Sequence, residues 1–294
     1  MAAIHNIGRG SHLETKNNIR NIRTDDNGLP EEYPLYIQTV QGQTIRTLIE
    51  AIELILPEEN FTFTKEGIQM IAVDTTQSLV VHLKLLSHRF EVYHCEKPVS
   101  VGISIMNLLK IMKIVGNLHT LTMYMKYNDY EHLFIRIENP DKNIRDLFTL
   151  NLLDITPRNF SIPDETFTSI ITMPSIDFQK FMRDMSHIGD YVEIISAGDT
   201  LKMKVKGEFA EQEKIFGESQ GCMNFLKTDN KDIVHGEYNL RFLVMFSRCT
   251  NLCNNIEMCL KNNFPLIIRY QVANLGEIKL AVIARVRDSE ELDL

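Results

Sequence analysis

Residues 103–125, ISIMNLLKIMKIVGNLHTLTMYM, hold a helix and a strand in one line of sequence. Ile105, Leu108, Leu109 and Met112 stand at i, i+3, i+4 and i+7, which gathers them on one helical face. Past Gly116 the period drops to two, and Leu121, Met123 and Met125 share one side of an extended strand. Residues 237–260, EYNLRFLVMFSRCTNLCNNIEMCL, repeat the same plan about 133 positions later. That spacing is far longer than a solenoid period. It predicts two related domains of the α+β class, each of ordinary domain size.

Two further helical stripes complete the repeat. Ile45, Leu48, Ile49, Ile52 and Ile55 form one in the first half, and Phe178, Phe181, Met182 and Met185 form one in the second. In the 237–260 string the stripe is Phe242, Met245, Phe246 and Cys249. Each face is about 100° wide and should pack on a sheet. Strand alternation covers 35–39, 61–64, 68–73, 79–85, 91–95, 121–126, 133–138 and 147–153. In the second half it covers 167–173, 192–196, 201–205, 256–260, 266–272 and 277–285. Both halves therefore run strand, helix, strands, helix, strands. Residues 152–166, LLDITPRNFSIPDET, carry Pro157 and Pro163 and read as an extended linker between domains at 34–151 and 167–286. Residues 1–33, rich in Asn, Arg and Gly, read as a mobile extension, and 287–294 as a short acidic tail.

The chain has 294 residues, 44% of them hydrophobic, with 31 Lys+Arg against 39 Asp+Glu and a formal net charge of −8. An acidic total argues against a nucleic-acid partner only if the charge is spread evenly. It is not. Off the apolar stripes lie Arg46, Glu50 and Glu53 on the first helix, and Lys110 and Lys113 on the second. The third carries Asp177, Lys180, Arg183 and Asp184, with His187 at its end, and the fourth Arg241 and Arg248. Seven cations against four acids put the helices at +3 and leave −11 for the remainder. If the helices share one side of the molecule, an acidic protein presents a basic lining.

No apolar run approaches the roughly 20 residues of a membrane helix, and MAAIHNIGRGSHLE lacks the apolar centre of a signal peptide. Five cysteines (Cys95, Cys222, Cys249, Cys253, Cys259) suit a reducing compartment better than a disulfide framework. Cys249-x3-Cys253-x5-Cys259 has no paired CxxC or histidine to complete a zinc set. His88 and His94 lack a third ligand, and His187 with Asp190 lacks a neighbouring nucleophile motif. There is no Walker loop or GxGxxG, and Gly8-Arg9-Gly10-Ser11 is too short to cradle phosphate. Neither catalysis, a cofactor nor a metal is expected.

Six strings now converge: VQGQTIRTLIEAI (40–52), VDTTQSLVVHLKL (73–85), YHC (93–95), IPDETF (162–167), FQKFMRDMSHIGDYVEI (178–194) and FPLIIRYQVANLGEIKLAVIARV (264–286). In this order they closely resemble the eukaryotic and archaeal sliding-clamp family, proliferating cell nuclear antigen, over residues 35–286. The resemblance implies two topologically similar clamp domains per chain, with helices lining a central hole and sheets outside, in a ring-forming homotrimer. Such a ring encircles duplex DNA without regard to sequence. It acts as a processivity factor for DNA polymerase, is placed by a clamp loader, and docks replication and repair proteins through clamp-binding peptide motifs. A membrane partner is not implied; the nucleus or another intracellular replication compartment is. The alternative is one subunit of a heterotrimeric clamp of the checkpoint or archaeal kind.

The resemblance also assigns residues. Arg46, Lys110, Lys113, Lys180, Arg183, His187, Arg241 and Arg248 match the DNA-facing positions, while one family lysine falls on Glu53. Val73, Gln77, Val80, Ile162, Pro265, Ala281, Val282, Ile283 and Ala284 match the pocket for partner peptides. Ala281 and Ala284 replace a tyrosine and a proline usual there, and Gly198 replaces a much-modified lysine. Ile114, Phe148, Leu150 and Ile215 match the subunit interface, on edges near 144–151 and 213–219.

Overall fold

The computed structural model describes residues 33–74, 76–156, 166–217, 223–227 and 233–285. The expected extension before Tyr33, most of the 152–166 linker with Ile162, Cys222 and the acidic tail lie outside the described residues.

The first half runs β1 (Leu35–Thr39), α1 (Gly42–Glu53), β2 (Glu58–Thr64), β3 (Gly67–Val73), β4 (Leu79–Leu86), β5 (Val92–Cys95), β6 (Val99–Ser104), α2 (Ile105–Met112), β7 (Thr120–Lys126), β8 (Asp129–Asn139) and β9 (Ile144–Asn151). The second runs β10 (Ser169–Pro174), α3 (Ser175–Ser186), β11 (Tyr191–Ala197), β12 (Thr200–Lys206), β13 (Glu211–Gly217), β14 (Asn224–Lys227), β15 (Val234–Asn239), α4 (Leu240–Phe246), β16 (Asn255–Leu260), β17 (Leu266–Val272) and β18 (Gly276–Val282). The repeat extends to the caps. Ser104 Oγ accepts the Asn107 amide at the start of α2, and Asn239 Oδ1 accepts the Arg241 amide at the start of α4.

The strands form three sheets. One has the order β5-β1-β7-β8-β9, another β13-β12-β11-β15. The third takes four strands from the first half and five from the second, in the order β14-β10-β16-β17-β18-β4-β3-β2-β6. Its halves meet where β18 pairs antiparallel with β4, from Gly276 opposite Leu85 to Val282 opposite Leu79. The inward rows of the sheets and the helix stripes form one continuous core, which contains Ile52 of α1, Met112 of α2, Met182 of α3 and Phe246 of α4.

Four strands lie outside the alternation read from the sequence, β13 being marked only by the edge that the resemblance places near 213–219. β6 and β15 each contain a glycine, and β14 has four residues. In β13, EQEKIFG, the exposed row begins with two glutamates and the other row is only half-buried, so no apolar alternation is visible. The apolar face of α4 is also turned from the expected one. Leu240, Leu243 and Phe246 are buried while Phe242 and Met245 are half-exposed. The helix ends after Phe246 and continues as a 3-10 segment over Ser247–Leu252, whose tighter winding keeps Cys249 and Leu252 in the core.

Two glycines let β4 be paired closely on both sides, Gly276 across the joint between the halves and Gly67 on β3 within the first half. A Cβ on Gly276 would lie 2.0 Å from the Lys84 carbonyl oxygen, and one on Gly67, whose φ is +144°, 1.9 Å from that of Leu85. Both contacts are with backbone of β4, which cannot swing aside. Gly276→Ala is therefore expected to cost about 1–3 kcal/mol by pushing β18 off β4, read as a lowered midpoint in chemical denaturation.

Candidate nucleic-acid interface and outer pocket

The four helices form one layer. α1 packs on α2, α3 packs on α4, and the 3-10 segment after α4 touches both α1 and α3. Since each helix turns its apolar stripe to the sheets, the opposite faces point away from the core together. Lys110, Lys113, Lys180, Arg183, Arg241 and Arg248 are all exposed. Among the described residues none of these six makes an ion pair. Lys110 Nζ donates only to Asn107 Oδ1, one turn back on its own helix, at 3.1 Å. His187 is exposed just past α3.

Arg46 is different. Its Nε donates to Glu50 Oε1 at 2.8 Å, and its Nη1 to the carbonyls of Lys113 and Val115 at 3.4 and 3.3 Å. These carbonyls close the end of α2, where acceptors lack helical partners. The guanidinium thus ties α1 to α2 and its charge is matched by Glu50, which sets it apart from the six cations above.

On the opposite side of the nine-stranded sheet, Val80, Ala281, Ile267 and Cys259 form a second apolar cluster, separate from the core. It straddles the β18–β4 joint, where Ala281 faces Val80. Ile71, Val73, Phe167, Ile170 and Phe264 pack around it, with the Phe167 and Phe264 rings 5.8 Å apart edge to face. Beside it lies a cleft of about 680 Å³ lined by Tyr238, Phe264, Pro265, Ile283, Ala284 and Arg285 among others. Gln77 is exposed on the turn entering β4, with φ 55°. Asp74 holds that turn by accepting the Ser78 and Leu79 amides at 2.8 and 2.9 Å. Burial works to raise its pKa, yet the hydrogen bonds from Thr76 and the backbone amides win, and the carboxyl stays below its ordinary value.

Val282 does not belong to this pocket. Strand alternation sends Ala281 and Ile283 outward and Val282 into the core, with 0% exposure. The sequence reading also missed Cys259, Ile267, Ile170 and Phe264. Their signal was available as strand parity, since Ile267 stands directly opposite Ala281. Burial raises the Cys259 thiol to about 11 and Cys249 to about 12, which makes both apolar packing groups rather than nucleophiles.

The expected interface residues divide as well. β9 and β13 each end a sheet with one edge unpaired among the described residues. Ile114 beyond α2 is 45% exposed and Ile215 on β13 is 62% exposed, and Phe148 is half-buried. Leu150 is 7% exposed and lies in its own chain's core, so its side chain is unavailable to a neighbour. Leu147 and Ile144 on the same strand are exposed instead.

Comparison with known proteins agrees with this architecture. The family model for the proliferating cell nuclear antigen N-terminal domain matches residues 35–159 and that for the C-terminal domain matches 161–284. The chain is 30% identical over 262 residues to a probable DNA polymerase sliding clamp 1 of Paramecium bursaria Chlorella virus 1, a match that covers 88% of this chain and 97% of the relative. With both halves matched in order by the two domain models, and with the repeat, the helix layer and the shared sheet in place, the chain belongs to the proliferating cell nuclear antigen family.

Proposed function

We propose that the helix layer is the face this DNA sliding clamp turns toward duplex DNA, in a homotrimeric ring closed through β9 and β13. The observation that carries the reading is six exposed cations, without ion pairs among the described residues, gathered along α2, α3, α4 and the 3-10 segment of a chain whose net charge is −8. Cations on phosphates attract without reading sequence. Topological closure retains the DNA, so each contact can stay weak and exchange as the ring moves. Diffuse electrostatic contact of this kind is salt-dependent.

The family is a non-enzymatic processivity factor, and no step of catalysis is assigned to this chain. In the same reading, 34–151 and 167–286 are the two clamp domains joined by 152–166. The outer cluster and its adjoining cleft take the clamp-binding peptides of polymerase, clamp loader and repair partners. An apolar centre beside a polar rim suits such peptides, whose affinity rests on a few buried anchors. Small Ala281 and Ala284 leave room for bulky ones. The site of action is the cell's DNA-replication compartment.

Three outcomes test these assignments. Lys110→Glu combined with Lys113→Glu should lower polymerase processivity several-fold while sedimentation still shows the assembled ring; unchanged processivity and loading removes the helix layer from DNA contact. Arg46→Ala should instead lower stability by about 1 kcal/mol through its lost charged hydrogen bonds, whereas Lys110→Ala stays within about 0.5 kcal/mol in the same urea titration. For the pocket, a labelled peptide carrying a glutamine, an aliphatic residue and two aromatics should bind Val80→Asp at least about tenfold more weakly than the parent. Equal affinities reject the outer cluster as the docking site.

A further inference from the structure

The internal repeat gives the outer apolar cluster a counterpart in the first half. Ser104 and Asn239 cap corresponding helices, and Met123 stands as far beyond the one as Met258 beyond the other. Strand register carries the match across the sheets. In the second half Ile170, Cys259, Ile267, Ala281 and Val80 form one row, each directly opposite the next. In the first half the corresponding row is Tyr36, Tyr124, Phe134 and Thr149. An aromatic residue precedes each row by three positions, Phe167 before Ile170 and Tyr33 before Tyr36. Further upstream, LPEEY (29–33) repeats the pattern of IPDETF (162–167) with one residue fewer. Leu29 is thus the counterpart of Ile162. In sequence, the residues before Tyr33 hold the place in the first half that the 152–166 linker holds in the second.

The two rows differ in shape. Cys259 and Ala281 are small and keep the second-half surface low, whereas Tyr124 and Phe134 raise the first-half surface into an aromatic plate. The Tyr124 and Phe134 rings stack at 5.3 Å. Tyr33 meets Tyr124 edge to face at 4.9 Å and Tyr36 at 5.6 Å. Tyr36 is 4% exposed although it belongs to neither apolar cluster, since these rings pack around it and Arg136 Nη2 donates to its hydroxyl at 3.0 Å. Tyr33, Tyr124 and Phe134 are only half-buried. Lys126 Nζ lies 3.8 Å from the centre of the Phe134 ring, so this surface holds a cation against a π-face. A raised plate offers no hole for a partner's aromatic anchor. It suits an extended segment that lays aliphatic and guanidinium groups across the rings.

We propose that the plate is a second docking surface and that its occupant is the chain's own residues 19–29. Tyr33 stands on the plate, and 32 residues precede it. A row across four strands about 4.8 Å apart is roughly 15 Å long, which about five extended residues span. Residues 1–32 contain no aromatic side chain, and they set an aliphatic residue beside an arginine twice, as Ile19-Arg20 and Ile22-Arg23. That is the chemistry the plate accepts. The tether keeps the segment at an effective concentration on the order of millimolar, so weak contacts suffice to hold it. The comparison rests on the pocket reading above. Duplication then produces two outer surfaces with different occupants: the second-half cluster takes partner peptides, and its first-half counterpart is taken within the chain.

The test uses the full-length chain with a benzophenone amino acid placed at position 22. On illumination it should cross-link to the strand segments that hold Tyr124 and Phe134, and in a mixture of isotopically heavy and light chains the link should stay within one chain. Phe134→Asp should lower the yield at least about fivefold. Arg20→Ser with Arg23→Ser should do the same, and these two positions lie outside the folded sheets, which covers a Phe134 variant that fails to fold. Links to the segments of Val80 or Ala281, links between chains, no link at all, or a yield that either folded variant leaves unchanged overturns the proposal. Failure of the pocket reading shows elsewhere, in the affinity of the added motif peptide, which this cross-link does not measure.

Discussion

Antiparallel pairing of β18 with β4 converts two half-molecules into one plate, and both candidate sites are consequences of it. Unpaired, these strands would be exposed edges with open backbone groups, prone to adventitious association. Paired, they place Ala281 against Val80 on the outer side and so create the apolar cluster there. On the inner side the same joint brings the 3-10 segment after α4 against α1 and merges two helix pairs into one layer. The close backbone approach at Gly276 shows how tightly this seam is drawn.

Charge is sorted by the same geometry. Much of the acid on the sheets is spent in cross-strand ladders: Glu211 with Lys204, Glu213 with Lys202, and Glu257 and Glu277 around Arg269. Such exposed pairs add little stability, yet they match lysines and arginines outside the helix layer to nearby carboxylates. Helix cations have no facing strand to supply a carboxylate, and six of them remain unmatched among the described residues. An acidic protein thereby keeps a basic face, and the total charge carries little information about the partner.

The pocket and the helix layer differ in how far sequence reached them. Helix period and charge spacing identified Lys110, Lys113, Lys180, Arg183, Arg241 and Arg248 as outward cations, because one helix face is a local property. Arg46 has the same local pattern, but its guanidinium is claimed by carbonyls 67 and 69 residues away. The pocket needed four strands from both halves to meet, so Cys259 and Ile267 were invisible beside Val80 and Ala281. Val282 and Leu150 were misassigned for a simpler reason: a motif match marks a segment, while strand parity decides which side each residue takes.

Period, repeat and order of elements alone determined that the chain holds two related α+β halves with four amphipathic helices, since these follow from which residues must leave water. The ordered strings determined the family. Only the tertiary structure decided which edges are consumed and which stay open. Pairing of β18 with β4 is a contact between residues about two hundred positions apart, which no local pattern announces. That difference, one seam closed within the chain and other edges left free among the described residues, belongs to the tertiary structure alone.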